Sequence, residues 1–197
     1  MKRLLLGSIL AALAVYLWGA LFWYGPGVNN LFTEIHDQKA LAEDLQAQLR
    51  SDGAYFLPWN PQDMDATLER QRQGPIATIH FHRGGVEPQS AGILILGFLH
   101  VLVTVLLLAF ALEMIAPALN RYTDRARFVI LIALAASIFA NLDQPIWWYQ
   151  TWSFHLINAL YDFGAWMIGG LILAAFVQSE ASAQEDDVGA DVELAAL

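Results

Sequence analysis

Residues 91–112 read AGILILGFLHVLVTVLLLAFAL, twenty-two positions with no formal charge and one histidine, His100. A bilayer core about 30 Å thick is crossed by about 20 apolar residues in a helix. A surface helix of a soluble protein keeps a polar face, and this stretch has none. It reads as a transmembrane helix, and the rest of the chain is interpreted outward from it.

Two more runs have the same character. Leu4 to Tyr24 carries no charge, and Phe154 to Val177 carries only Asp162, with His155 near its start. A shorter run, Phe128 to Leu142, spans if Arg127 snorkels to the interface and the helix continues towards Pro145. The expected fold is an all-α four-transmembrane-helix bundle. Its helices are residues 1–24, about 91–115, about 127–144 and about 153–177. An extracytoplasmic insertion, residues 25–90, lies between helices 1 and 2. An acidic tail, residues 178–197, follows the last helix and is expected to be disordered and cytoplasmic.

Composition agrees. The chain is 57% hydrophobic and 15% charged, against about 45–50% and roughly 25% in soluble domains. A net charge of −9 argues against a phosphate-neutralising nucleic-acid binder. The absence of cysteine excludes disulfides, thiolate nucleophiles and cysteine-ligated metal centres.

Orientation follows from lysine and arginine in short flanks. Lys2 and Arg3 precede helix 1, and Arg121, Arg125 and Arg127 fall between helices 2 and 3. Both signals put these segments, and both chain ends, in the cytoplasm, in an inner membrane. The end of helix 1 has no small-x-small cleavage site, and Trp18, Trp23 and Tyr24 suit interface anchors, so an uncleaved anchor is expected. Trp147, Trp148, Tyr149 and Trp152 fit an outer aromatic belt in the connection between helices 3 and 4.

Within the insertion, Gly25-Pro26-Gly27 breaks helix 1. Leu31 to Arg50 predicts an amphipathic helix capped by Asn30, with Leu31, Ile35, Leu41, Ala42, Leu45 and Leu49 on one stripe. Ala54–Leu57 is strand-like, and Gln62–Gln73 is a polar helix closed by Gly74-Pro75. Ile76 to His82 alternates, with Ile76, Thr78, His80 and His82 on one face. That strand must pair, with Ala54–Leu57 or with another chain.

Ionisable groups within a membrane are expensive and mark candidate sites. Asp162 leads, with His155 and Asn158 on its helical face and Gly169 continuing the stripe. His100 on helix 2 and Asn141 on helix 3 fall at similar depth. Together they make a candidate ligand or proton site; the bland alternative is interhelical hydrogen bonding. His80-x-His82 offers two imidazoles to a copper or zinc ion, and further ligands from His100, His155, Glu87 or His36 would be needed to complete a site. Glu113 is expected to pair with Arg125 or Arg127.

The four-span layout is similar to that of the lipoprotein signal peptidase family, and Tyr161-Asp162 resembles the first motif of presenilin-type proteases. The sequences around the peptidase aspartates and the glycine–x–glycine–aspartate partner are both missing, so neither resemblance implies proteolysis. No rhomboid, His-Glu-x-x-His or Walker motif is present. Without a complete catalytic set, the leading expectation is an accessory or scaffolding subunit. It would dock onto another membrane protein, or a second copy, through its bundle and outer segment. The alternative is a protein that handles a small ligand, a proton or a metal ion.

Overall fold

The computed structural model describes residues 2–25 and 28–177; the tail expectation lies outside the described residues. Among the described residues four helices are long and apolar enough to cross a membrane: α1 (Lys2–Trp23), α4 (Ala91–Ile115), α5 (Tyr122–Trp148) and α6 (Trp152–Phe176). Between α1 and α4 come α2 (Gln38–Gln48), strand β1 (Gly53–Leu57), α3 (Met64–Gln73) and strand β2 (Ala77–Phe81). A short 3₁₀ turn covers Val28–Leu31.

Helix α6 is central. It packs against α5 on one side and α1 on the other, while α4 lies mainly on α1 and more lightly on α6. The core is built from small residues, among them Ala11, Ala12, Ala109, Ala133 and Ala174. Lipid tails supply no hydrophobic drive between helices, so close backbone approach does the work. A Cβ on Gly170 would stand 2.0 Å from Val129 Cγ1, and one on Gly164 would stand 2.6 Å from Trp18 Cζ2. Trp18 itself donates from Nε1 to the Tyr161 carbonyl at 3.1 Å. The large side chains point outward, as in Met114 and Phe139, each 83% exposed. Such a surface suits a bilayer and not water.

The contacts fix the relative direction of the helices. Gly7 meets Phe176 and Gly19 meets Tyr161, so α1 and α6 are antiparallel. Tyr16 donates to the Leu94 carbonyl, so α1 and α4 are antiparallel too. Lys2, Arg3 and the α4–α5 connection therefore share one end, and the insertion and the α5–α6 connection share the other.

At the first of these ends Arg125 is buried, 5% exposed. Its Nε donates to the Ala174 carbonyl at 3.0 Å and a terminal nitrogen donates to the Leu119 and Asn120 carbonyls at 2.8 and 3.0 Å. The last carbonyls of a helix lack intrahelical partners and carry its negative dipole end. The expected pairing of Glu113 with Arg125 or Arg127 is thus replaced. Arg125 caps α6, Arg127 lies 3.7 Å from Asp124, and Glu113 is exposed.

Three helices differ in their boundaries from expectation. Helix α5 begins at Tyr122 rather than about 127, which takes Arg125 and Arg127 from the expected connection into the helix, and it runs through Pro145 to Trp148, beyond the expected 144, because proline near a helix end forfeits only one backbone bond. Trp147 and Trp148 consequently close α5 and Trp152 opens α6, leaving Tyr149 to Thr151 as the connection. The insertion's first helix begins at Gln38, where Asp37 Oδ1 accepts from the Ala40 amide at 2.9 Å; the side chain of Asn30 lies outside the described residues. The third of these helices is α3, which starts at Met64 behind an Asp63 cap that accepts from the Ala66 amide at 2.9 Å.

Strand β2 pairs antiparallel with β1, with Phe56 opposite Thr78 and Ala54 opposite His80. This two-stranded ribbon stands over the α5–α6 connection. Phe56 meets Trp148 edge to face at 5.6 Å, and Phe32 meets Phe154 at 5.8 Å.

Candidate functional site

The intramembrane candidates separate into two groups. Asp162 and His100 line one cleft of about 230 Å³, bounded by α4, α6 and Val15 of α1. Its other walls are mostly apolar, among them Val101, Val105, Leu108, Ala165 and Trp166. Because α4 and α6 run parallel, depth can be compared directly. His100 is nine residues past Ala91 and Asp162 ten past Trp152, about 14 and 15 Å of rise. Leu108 and Gly169, at the far end of the cleft, are each about 26 Å along. The polar pair therefore sits at the ribbon-side end of an apolar slot.

Asp162 is held from the opposite side. Asn141 Nδ2 donates to Asp162 Oδ2 at 2.7 Å and to the Ser137 carbonyl at 3.0 Å. Ser137 is itself turned back onto the Ala133 carbonyl at 2.7 Å. Asn141 and Ser137 are buried. Among the described residues no hydrogen bond reaches Asp162 Oδ1. One carboxylate oxygen is thus pinned to α5, on a side chain that also faces the cleft. Thr104, one turn beyond His100, donates to the His100 carbonyl at 3.0 Å, which leaves the imidazole unengaged by it.

His155 and Asn158 belong elsewhere, although they share a helical face with Asp162. Asn158 Nδ2 donates to the Phe154 carbonyl at 2.8 Å. His155 Nε2 lies 2.7 Å from Gln150 Oε1, and Gln150 Nε2 donates to Gln144 Oε1 at 3.1 Å. His155 therefore forms part of a polar chain at the ribbon-side mouth of the bundle, roughly 10 Å of helical rise from Asp162.

His80 lies within strand β2 and His82 follows directly after its last residue, Phe81. His82 Nδ1 is 2.7 Å from Asp52 Oδ2, and the Arg83 amide donates to Asp52 Oδ1 at 2.8 Å. The Arg83 amide, and secondarily the His82 ring, hold the Asp52 carboxyl below its ordinary value of 3.8. Among the described residues no three histidine or carboxylate side chains converge as metal ligands.

Two contributors carried no sequence signal. Gln150 looks like any loop glutamine until the connection folds it between Gln144 and His155. Trp166 is one more apolar residue in the middle of its span until α6 turns it into the cleft. Comparison with protein-family models, with curated proteins and with solved structures finds no match.

Proposed function

We propose that the protein binds a small, lipid-soluble molecule in the α4–α6 cleft, with His100 and Asp162 engaging its polar end. The observation that carries this is the presence of an imidazole and a carboxyl at matched depth in a mostly apolar slot. Apolar pockets with a few convergent polar groups are the usual form of a ligand site. Asn141 pre-orients the carboxyl, so less ordering is required on binding. Organic extraction of protein purified in nanodiscs, followed by mass spectrometry, tests it. A stoichiometric molecule distinct from bulk lipid is expected in the wild type and absent from His100→Leu. Equal recovery from both, or bulk lipid alone, overturns the reading.

The accessory-subunit reading keeps one observation of its own. Helix α2 buries no residue, and Leu41 on its apolar stripe is 40% exposed. An unpartnered amphipathic helix suits docking onto a membrane-protein partner. A defined partner that co-purifies with wild type, and is lost on Leu41→Glu, is the expected result; a lone chain in native membranes counts against it.

We further propose an inner-membrane location with the end bearing Lys2, Arg3, Arg121 and Arg127 in the cytoplasm. The chain has no cysteine, so introduced ones report cleanly. Gly85→Cys should react with an impermeant maleimide on intact cells, and Asn120→Cys only after permeabilisation. The reverse pattern inverts the topology.

A further inference from the structure

The ribbon and the α5–α6 connection enclose a second space, separate from the intramembrane cleft. Two adjoining clefts of about 280 Å³ each share Thr78, Trp148 and Gln150 as walls. Phe154 and His155 complete one, and Tyr55, His80 and Gln144 border the other. We propose that this space is a binding site for a neutral, hydroxyl-bearing ring, of the class of a single sugar unit, presented at the membrane surface.

The chemistry of the walls makes the choice. Among the described residues no aspartate, glutamate, lysine or arginine lines either cleft. A phosphate or carboxylate ligand would call for arginine or lysine, and neither is there. The hydrogen-bonding groups are amides, hydroxyls and imidazoles, which both donate and accept. Sugar hydroxyls do the same. A quaternary ammonium would find aromatic faces at Trp148 and Phe154 but could satisfy none of these groups.

The site is also built rather than incidental. Gln144, Gln150 and His155 are linked in a hydrogen-bonded chain, which fixes the amide of Gln150 before any ligand arrives. Thr78 Oγ1 is buried and, among the described residues, has no hydrogen-bond partner. A buried hydroxyl without a partner costs free energy, and Thr78 lines both clefts, so rotation about its Cα–Cβ bond would bring this closed-off hydroxyl to a ligand hydroxyl that supplies the missing bond. Trp148 is held edge-on by Phe56, which sets the plane against which a ring would lie.

The test uses the full chain in phospholipid nanodiscs and saturation-transfer NMR with methyl β-glucoside. Tetramethylammonium and inorganic phosphate are measured in parallel. Transfer to the glucoside and to neither ion is expected. Thr78→Val and Gln150→Leu, each retaining the wild-type melting temperature, should weaken it about tenfold, the effect of one lost hydrogen bond with an unpaired partner. Asp162→Asn should leave it unchanged, which separates this site from the intramembrane cleft. Because Thr78 lies in the ribbon, outside the spans, its variant remains informative if Gln150→Leu does not fold. No transfer to the glucoside, preferential transfer to either ion, or wild-type transfer in a folded Thr78→Val overturns the proposal.

Discussion

Asp162 and Arg125 show two ways to keep a polar side chain within a bundle. Asp162 takes a neutral partner, Asn141, on the neighbouring helix. Asp162→Asn preserves an acceptor for Asn141, so the melting temperature should change little; Asp162→Leu should cost roughly 0.6–2 kcal/mol, the range of interhelical polar contacts. Thermal unfolding in detergent distinguishes the two, and equal losses would show that the charge, not the hydrogen bond, matters. Arg125 instead satisfies carbonyls that no backbone donor can reach. Arg125→Met keeps the stem and removes every donor. A loss of about 1.5–3 kcal/mol is expected, as for hydrogen bonds to charged groups. Glu113→Gln, remote from this cap, should be neutral.

The helices and the ribbon respond to different perturbations. Gly170→Ala drives a methyl into Val129, and overpacking of this kind costs about 1–3 kcal/mol. Val129→Ala should restore much of that loss in the double variant; simple additivity of the two defects would refute the direct clash. The ribbon depends on a carboxylate. Asp52 titrates below its ordinary value in the folded chain, so its contribution is fully present above pH 3.8 and is lost as pH falls through the lowered value. Amide protection along Gly53–Leu57 and Ala77–Phe81 should therefore fall on acidification while the bundle remains intact. Asp52→Asn should abolish that pH response, and an unchanged response would place its origin in another group.

At the scale of the molecule, α5 contributes no wall to the α4–α6 cleft, and α4 rests mainly on α1. An opening between α4 and α6 at this depth of the spans would face lipid rather than water. Thr104→Cys is expected to react with a lipid-soluble maleimide and to resist an impermeant one applied from either side. Rapid labelling by the impermeant reagent would show an aqueous entrance instead.

Much of this arrangement is legible in residue order. Uncharged runs such as 91–112 set the spans, because a bilayer penalises each charge locally and without reference to neighbours. That residues 76–82 form a strand in need of a partner follows from alternation and from the instability of a lone strand; the structure supplies residues 53–57 as that partner. The depth of His100 and Asp162 follows from counting at a fixed rise per residue. Helix rotation does not, because a helix that is apolar all round has no preferred face in its own sequence. Only the packing of small residues, Gly170 on Val129 and Gly164 on Trp18, decides it. That packing turns Asp162 to Asn141 and the cleft, and separates it from His155. It also sends Arg125 to the end of α6 rather than to Glu113. Charge and hydropathy determine where each residue lies along the membrane normal; steric fit between helices determines which residues meet.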